Sequence, residues 1–164
     1  MTILVAGIGN VFMGDDGFGV AVAGRLAARP LRPGVVLMDA GIRGIDLTYA
    51  LTDGHDAAIL VDATPRGRAP GTLYVLEPAL PEVTPEGALL DSHDLDPAKV
   101  LVLARALGAL PRVVRIVGCE PSRVGTFDEP VFGLSDEVTA AVDHAVELVE
   151  ELVRELHAAG EAIP

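Results

Sequence analysis

The chain is poor in cysteine, aromatics and basic residues, has no tryptophan, and contains no long apolar run. Each shortage removes a class of protein. With Cys119 as its single cysteine, an internal disulfide and a cysteine-built metal cage are excluded. Twelve Lys and Arg stand against 24 Asp and Glu, for a formal charge of -12. The basic stripes that nucleic acid or an anionic membrane would need are therefore missing. No stretch approaches the length that spans a bilayer. The apolar start, Ile3 to Gly7, is too short for a secretion signal and has no basic flank. The expectation is a cytoplasmic protein with no nucleic acid and no membrane among its partners.

What is present is aliphatic. Half of the 164 residues are hydrophobic but only 4% are aromatic, so Val, Leu, Ile and Ala must build the core, as in a sheet covered by helices. That length suits one domain, 1–164. Ile3–Ala6, Val35–Asp39, Ala57–Val61 and Val113–Val117 read as short buried strands. Thr72–Leu76 follows the turn Pro70-Gly71 and reads as a further strand, antiparallel to its neighbour. Helices are expected over Phe18–Ala28 and Gly44–Leu51, and from Pro97 to Gly108 with Asp96 as its cap. A last amphipathic helix carries Val138, Val142, Ala145, Val149, Leu152 and Leu156 at spacings of three and four. Residues 78–91, with three prolines, read as a surface loop. Alternating strands and helices imply a three-layer α/β fold, a mostly parallel twisted sheet with helices on both faces. Ligands in such folds bind at the carboxyl ends of the strands, where the strand order reverses.

Carboxylates stand at those ends: Asp15-Asp16 after the first strand, Asp39 at the second and Asp62 at the third. Alone, Asp15 or Asp16 would be read as a cap for the helix from Phe18. Together on one rim, the acids would repel one another unless a cation, a proton or a basic partner offset them. His93, in Asp91-Ser92-His93-Asp94, precedes the helix capped by Asp96 and can reach the same rim. Two carboxylates and an imidazole suit a borderline divalent ion such as nickel or zinc. His55, His144 and His157 read as structural or solvated.

Other chemistries lack parts. Gly7-x-Gly9 begins like a dinucleotide turn, but Phe12 stands at the third glycine position, where its side chain would obstruct helix–strand packing. Asp15 and Asp16 would place negative charge where a pyrophosphate lies, so no nucleotide is expected. There is no Gly-x-Ser-x-Gly elbow. Cys119 reads as a small buried thiol at a strand end.

With these motifs placed, the chain resembles the hydrogenase maturation endopeptidases. The resemblance runs from about Ile3 to Pro121 and rests first on the long segment Gly7-Ile8-Gly9-Asn10-Val11-Phe12-Met13-Gly14-Asp15-Asp16-Gly17-Phe18-Gly19-Val20. Asp39-Ala40-Gly41, Gly44-x-Asp46-Leu47, Leu60-Val61-Asp62-Ala63, Pro70-Gly71-Thr72, Ser92-His93-Asp94 and Val117-Gly118-Cys119-Glu120-Pro121 follow in the family's order. It implies a peptidase that trims the C-terminal extension of a nickel-iron hydrogenase large-subunit precursor, with the precursor's own nickel as the recognition signal. It also implies that Asp16, Asp62 and His93 are the metal ligands, Asp16 standing where glutamate is usual. Asp39 matches a further acidic position and is a candidate general base or orienting group. Two other functions compete with this one. One is a metallopeptidase or amidohydrolase holding its own zinc or another divalent ion; the other is a non-catalytic nickel-dependent assembly chaperone.

Overall fold

Residues 1–79 and 96–161 are described by the structure, a computed structural model. β1 (Ile3–Ile8) is buried along its whole length, as a strand flanked on both sides and covered on both faces must be. It pairs in parallel with β2 (Val35–Gly41) on one side and β3 (Ala57–Ala63) on the other. β3 pairs in parallel with β5 (Val113–Cys119), and β4 (Leu73–Leu76) closes the far edge antiparallel to β5. The sheet order is β2-β1-β3-β5-β4. The chain leaves β1 toward one edge and returns past it to β3, so the order reverses between β1 and β3.

Alternation along the strands divides the core in two. Ile3, Val5, Ile59, Val61 and Val117 face α1 (Phe18–Ala27) and α4 (Asp136–Glu161), where Phe18, Val22, Val142, Ala145 and Val149 meet them. Leu4, Ala6, Ala58 and Leu60 face the other way. There Leu47 and Leu51 of α2 (Gly44–Thr52) and Val100, Leu101 and Ala104 of α3 (Pro97–Leu107) cover them. Each fully buried Leu, Ile or Phe contributes about 1.5–3 kcal/mol.

α1 lies unusually close to the sheet. A Cβ at Gly7 would fall within 3.0 Å of Gly19 O and of the Ala23 Cβ, and one at Gly19 within 3.0 Å of Val61 O and both Ile8 backbone polar atoms. α3 starts as its sequence dictates: the Asp96 side chain accepts from the Ala98 N–H at 2.9 Å, and Pro97 occupies the first turn, where no intrahelical bond is lost.

The principal strands run past the ends expected for them, to Ile8, Gly41, Ala63 and Cys119. Glycine and aspartate end a strand only where the ladder ends, and here the ladder continues: Asp62 still pairs with Gly118, and Ala63 with Cys119. Asp62 is thus a strand residue shielded by its neighbours, not a loop residue.

Candidate active site

The segment joining β1 to α1 is held by its own polar groups. Asn10 accepts the Phe12 N–H at 3.0 Å on its side chain and the Met13 N–H at 3.0 Å on its carbonyl. Its backbone N–H donates to Asp16 Oδ2 at 2.7 Å. Gly9, at φ 135°, lets the strand end pass directly against the Asp16 carbonyl, where a Cβ would collide with it. A 3-10 turn, Asp15–Gly17, then leads into α1. Neither aspartate caps that helix: the cap position is Gly17 and no side chain bonds there.

The two adjacent aspartates have separate fates. Asp15 is fully buried, and its carboxylate is taken up by bonds within the fold. Its Oδ2 accepts the N–H groups of Ser122 and Arg123, both at 2.8 Å, and the Ser135 hydroxyl at 2.9 Å; Oδ1 accepts the Ser135 N–H at 2.6 Å. Burial opposes its ionisation, but the donors from Arg123, Ser135 and Ser122 prevail and hold the carboxyl below its ordinary range. Asp16 is half-buried, with one oxygen on the Asn10 N–H.

Asp62, on the α2/α3 face of the sheet, is only 8% exposed. Its carboxyl is held well above the usual carboxylate range, first by burial and then by the charges of Asp16 and Asp96; the Ala63 N–H offsets this in part. Asp16 and Asp62 therefore occupy one electrostatic neighbourhood, at the reversal between β1 and β3. Asp39 does not join them. It is exposed, its register partner is Gly7, and strand alternation puts it on the α1/α4 side. Its carbonyl accepts from the Arg43 guanidinium. Among the described residues no three His, Cys, Asp or Glu side chains gather closely enough to hold a metal ion. His93 lies outside the described residues.

Two acids with little promise in the sequence prove to be structural. Asp15 is one. The other is Glu120, buried at the end of β5, which accepts the Arg66 N–H at 2.8 Å, the Gly67 N–H at 3.0 Å and the Tyr74 hydroxyl at 2.5 Å. It fixes the loop that follows Asp62, and the Tyr74 hydroxyl first, then the backbone donors, keep its carboxyl low against burial. The Tyr74 phenol is raised in turn, by burial and by Glu120. An acid shortly after an apolar strand was the only signal for either, Asp15 in the turn after β1 and Glu120 directly after β5.

Cys119 is buried on the α1/α4 face, opposite Asp62, as its sequence context implied. Burial, then the charges of Asp15 and Glu120, push its thiol up to about 12, which disqualifies it as a thiolate nucleophile near neutral pH. Phe12 does not sit at the helix–strand contact, so its side chain obstructs nothing there. α1 begins only at Phe18, Gly19 makes the close approach, and Phe12 is exposed and packs edge-to-face on Phe132 at 5.9 Å. Among the described residues no helix is long and apolar enough to cross a membrane.

Comparison with known proteins agrees with this architecture. The profile of the HycI family, hydrogenase maturation protease, matches residues 20–152. The hydrogenase 2 maturation protease of Escherichia coli K12 is 33% identical over 172 aligned positions, covering 100% of this chain and 96% of that protein. Among solved structures, the hydrogenase maturating endopeptidase HybD from E. coli superposes with a TM-score of 0.74 at 31% identity, over 94% of this chain and 93% of its own. The [NiFe] hydrogenase maturation protease HycI from Thermococcus kodakarensis KOD1 gives 0.67 at 25% identity, over 93% and 92%. The aliphatic three-layer fold, the paired acids at its strand reversal and these matches together make the chain a member of the hydrogenase maturation protease family.

Proposed function

We propose that this endopeptidase removes the C-terminal extension of a nickel-loaded [NiFe]-hydrogenase large-subunit precursor in the cytoplasm. In this reading Asp16, Asp62 and His93 engage the nickel that the precursor carries. The observation that carries it is the buried Asp62 carboxyl held beside Asp16. Two acids so placed disfavour a second negative charge and gain from a cation delivered to them, which is what reading a substrate-borne divalent ion requires. Oxygen and imidazole donors suit nickel, and a three-ligand set leaves coordination positions open.

The chain's own groups then have distinct tasks. Asp62, whose backbone is fixed in the strand ladder, supplies a ligand from a rigid position. Asp16 is held by the Asn10 N–H on one oxygen. Asp39 stands apart from this pair, exposed on the other face of the sheet, so the role left for it is that of an orienting group toward solvent and not of a base beside the ion. When bound, the ion supplies Lewis-acid polarisation of the scissile carbonyl or of a water.

The experiment is to incubate the protein with nickel-loaded and nickel-free precursor and weigh the products. Shortening of the loaded form alone is the expected result. Binding without shortening would make the protein an assembly chaperone. Cleavage of both forms, with a stoichiometric ion in protein purified free of chelators, would make it a peptidase with its own metal.

A further inference from the structure

We propose that Asp15 is a positioning residue for the processing reaction, acting through Asp16. Its four hydrogen bonds tie the start of the 3-10 turn to two distant stretches of chain, Ser122-Arg123 and Ser135. The backbone repeats the same link. The Asp15 N–H donates to Arg123 O at 3.0 Å, the Gly14 N–H to Val131 O at 2.6 Å and the Gly125 N–H to Met13 O at 3.2 Å. The turn that presents Asp16 is thus bonded on one side to residues 122–135 through Asp15 and on the other to Asn10 through Asp16 itself. The Ser135 hydroxyl completes the device: it donates to Asp15 and accepts the Val138 N–H at 3.4 Å, joining the turn to the first turn of α4.

This arrangement answers a specific need. Asp16 has a shorter side chain than glutamate, so its reach depends on where the backbone places its Cα. A carboxylate accepting only N–H and O–H donors fixes that point more firmly than a solvated loop could. An amide at position 15 would turn an N–H₂ group toward donors and break at least one of the four bonds, or up to three if it replaced Oδ2. The inference rests on the reading of Asp16 as a ligand for the substrate's ion, and the test separates the two.

Asp15→Asn, Ser135→Ala and Asp16→Asn are compared for processing of nickel-loaded precursor at a temperature where circular dichroism finds each folded. The amide resonance of Asn10, the direct partner of the Asp16 carboxylate, is followed in parallel by NMR. Asp15→Asn is expected to lower kcat/KM by at least about tenfold, the scale of an ångström-level misplacement. It is also expected to move the Asn10 resonance in the direction that Asp16→Asn moves it. Ser135→Ala, which removes one donor of four, should do both to a smaller degree, and it keeps the inference testable if Asp15→Asn does not fold. A folded Asp15→Asn, or Ser135→Ala in its place, with unchanged processing overturns the inference, and so does lost processing with the Asn10 resonance unmoved. Unchanged processing by Asp16→Asn overturns the reading of the site instead.

Discussion

One methyl group, added at either of two glycines in α1, sets packing against helix propensity. Within a helix, Gly→Ala gains about 1 kcal/mol when nothing else changes. At Gly24 nothing else does change, because no atom lies within 4 Å of the added Cβ. At Gly19 the same methyl would stand inside 3.0 Å of three backbone atoms, Val61 O, Ile8 O and Ile8 N, none of which can rotate away. That belongs at the upper end of overpacking, about 3 kcal/mol, so the net effect is a loss of about 2 kcal/mol once propensity is subtracted. For a chain of 164 residues each kcal/mol moves Tm by about 2–4 °C. Gly24→Ala should therefore melt about 2–4 °C higher than the parent and Gly19→Ala about 4–8 °C lower, measured by differential scanning calorimetry. Because α1 carries the Asp16 turn at its start, Gly19→Ala should also lose processing activity below its Tm. A Gly19→Ala protein that melts at or above the parent would refute the close β1–α1 approach, and with it the placement of Asp16 over the strand end.

Other outcomes follow from the buried acids and the thiol. Asp62 is raised in the fold, so the stability it contributes is present in its protonated form and is lost as pH rises through its folded pKa. Asp62→Asn should then stabilise the neutral-pH fold by about 1 kcal/mol while ending processing; a destabilised variant would contradict the repulsion from Asp16. Asp15 and Glu120 are lowered, with the opposite sign: their contribution is present above the unfolded carboxylate pKa of about 4 and lost as pH falls through the folded values. Glu120→Gln should flatten the acid limb of the stability curve in a urea titration and bring the Tyr74 phenol back toward its ordinary range. Cys119 should resist alkylation in the native protein and react on unfolding, and Cys119→Ala should keep full processing. A dead but folded Cys119→Ala would require thiol chemistry.

The parts of the fold that local chemistry determines were legible in the sequence. The Asp96 cap with Pro97, the stripe of Val and Ala along α4, and the Pro70-Gly71 turn into an antiparallel β4 each depend on neighbours a few residues away. The site was legible in its residue types but not in its division of labour. Asp15 and Asp16 are chemically the same, and what separates them is bonding to residues 122, 123 and 135, more than a hundred positions away. Asp39 and Asp62 both lie near the carboxyl ends of strands, yet a strand's two faces alternate residue by residue, so only the register distinguishes the outward acid from the buried one. The helix start at Phe18 was legible, but the 3-10 turn before it was not, because no local signal in Gly14-Asp15-Asp16-Gly17 announces it.

The central claim, that an acid pair at the strand reversal reads a metal carried by the substrate, has one direct test. The affinity of the intact protein for nickel-loaded precursor is compared with that for nickel-free precursor, with Asp62→Ala measured beside the parent. A preference for the loaded form that disappears in Asp62→Ala is the predicted result. Equal affinity for both forms in the parent, or a preference that survives loss of Asp62, would contradict it.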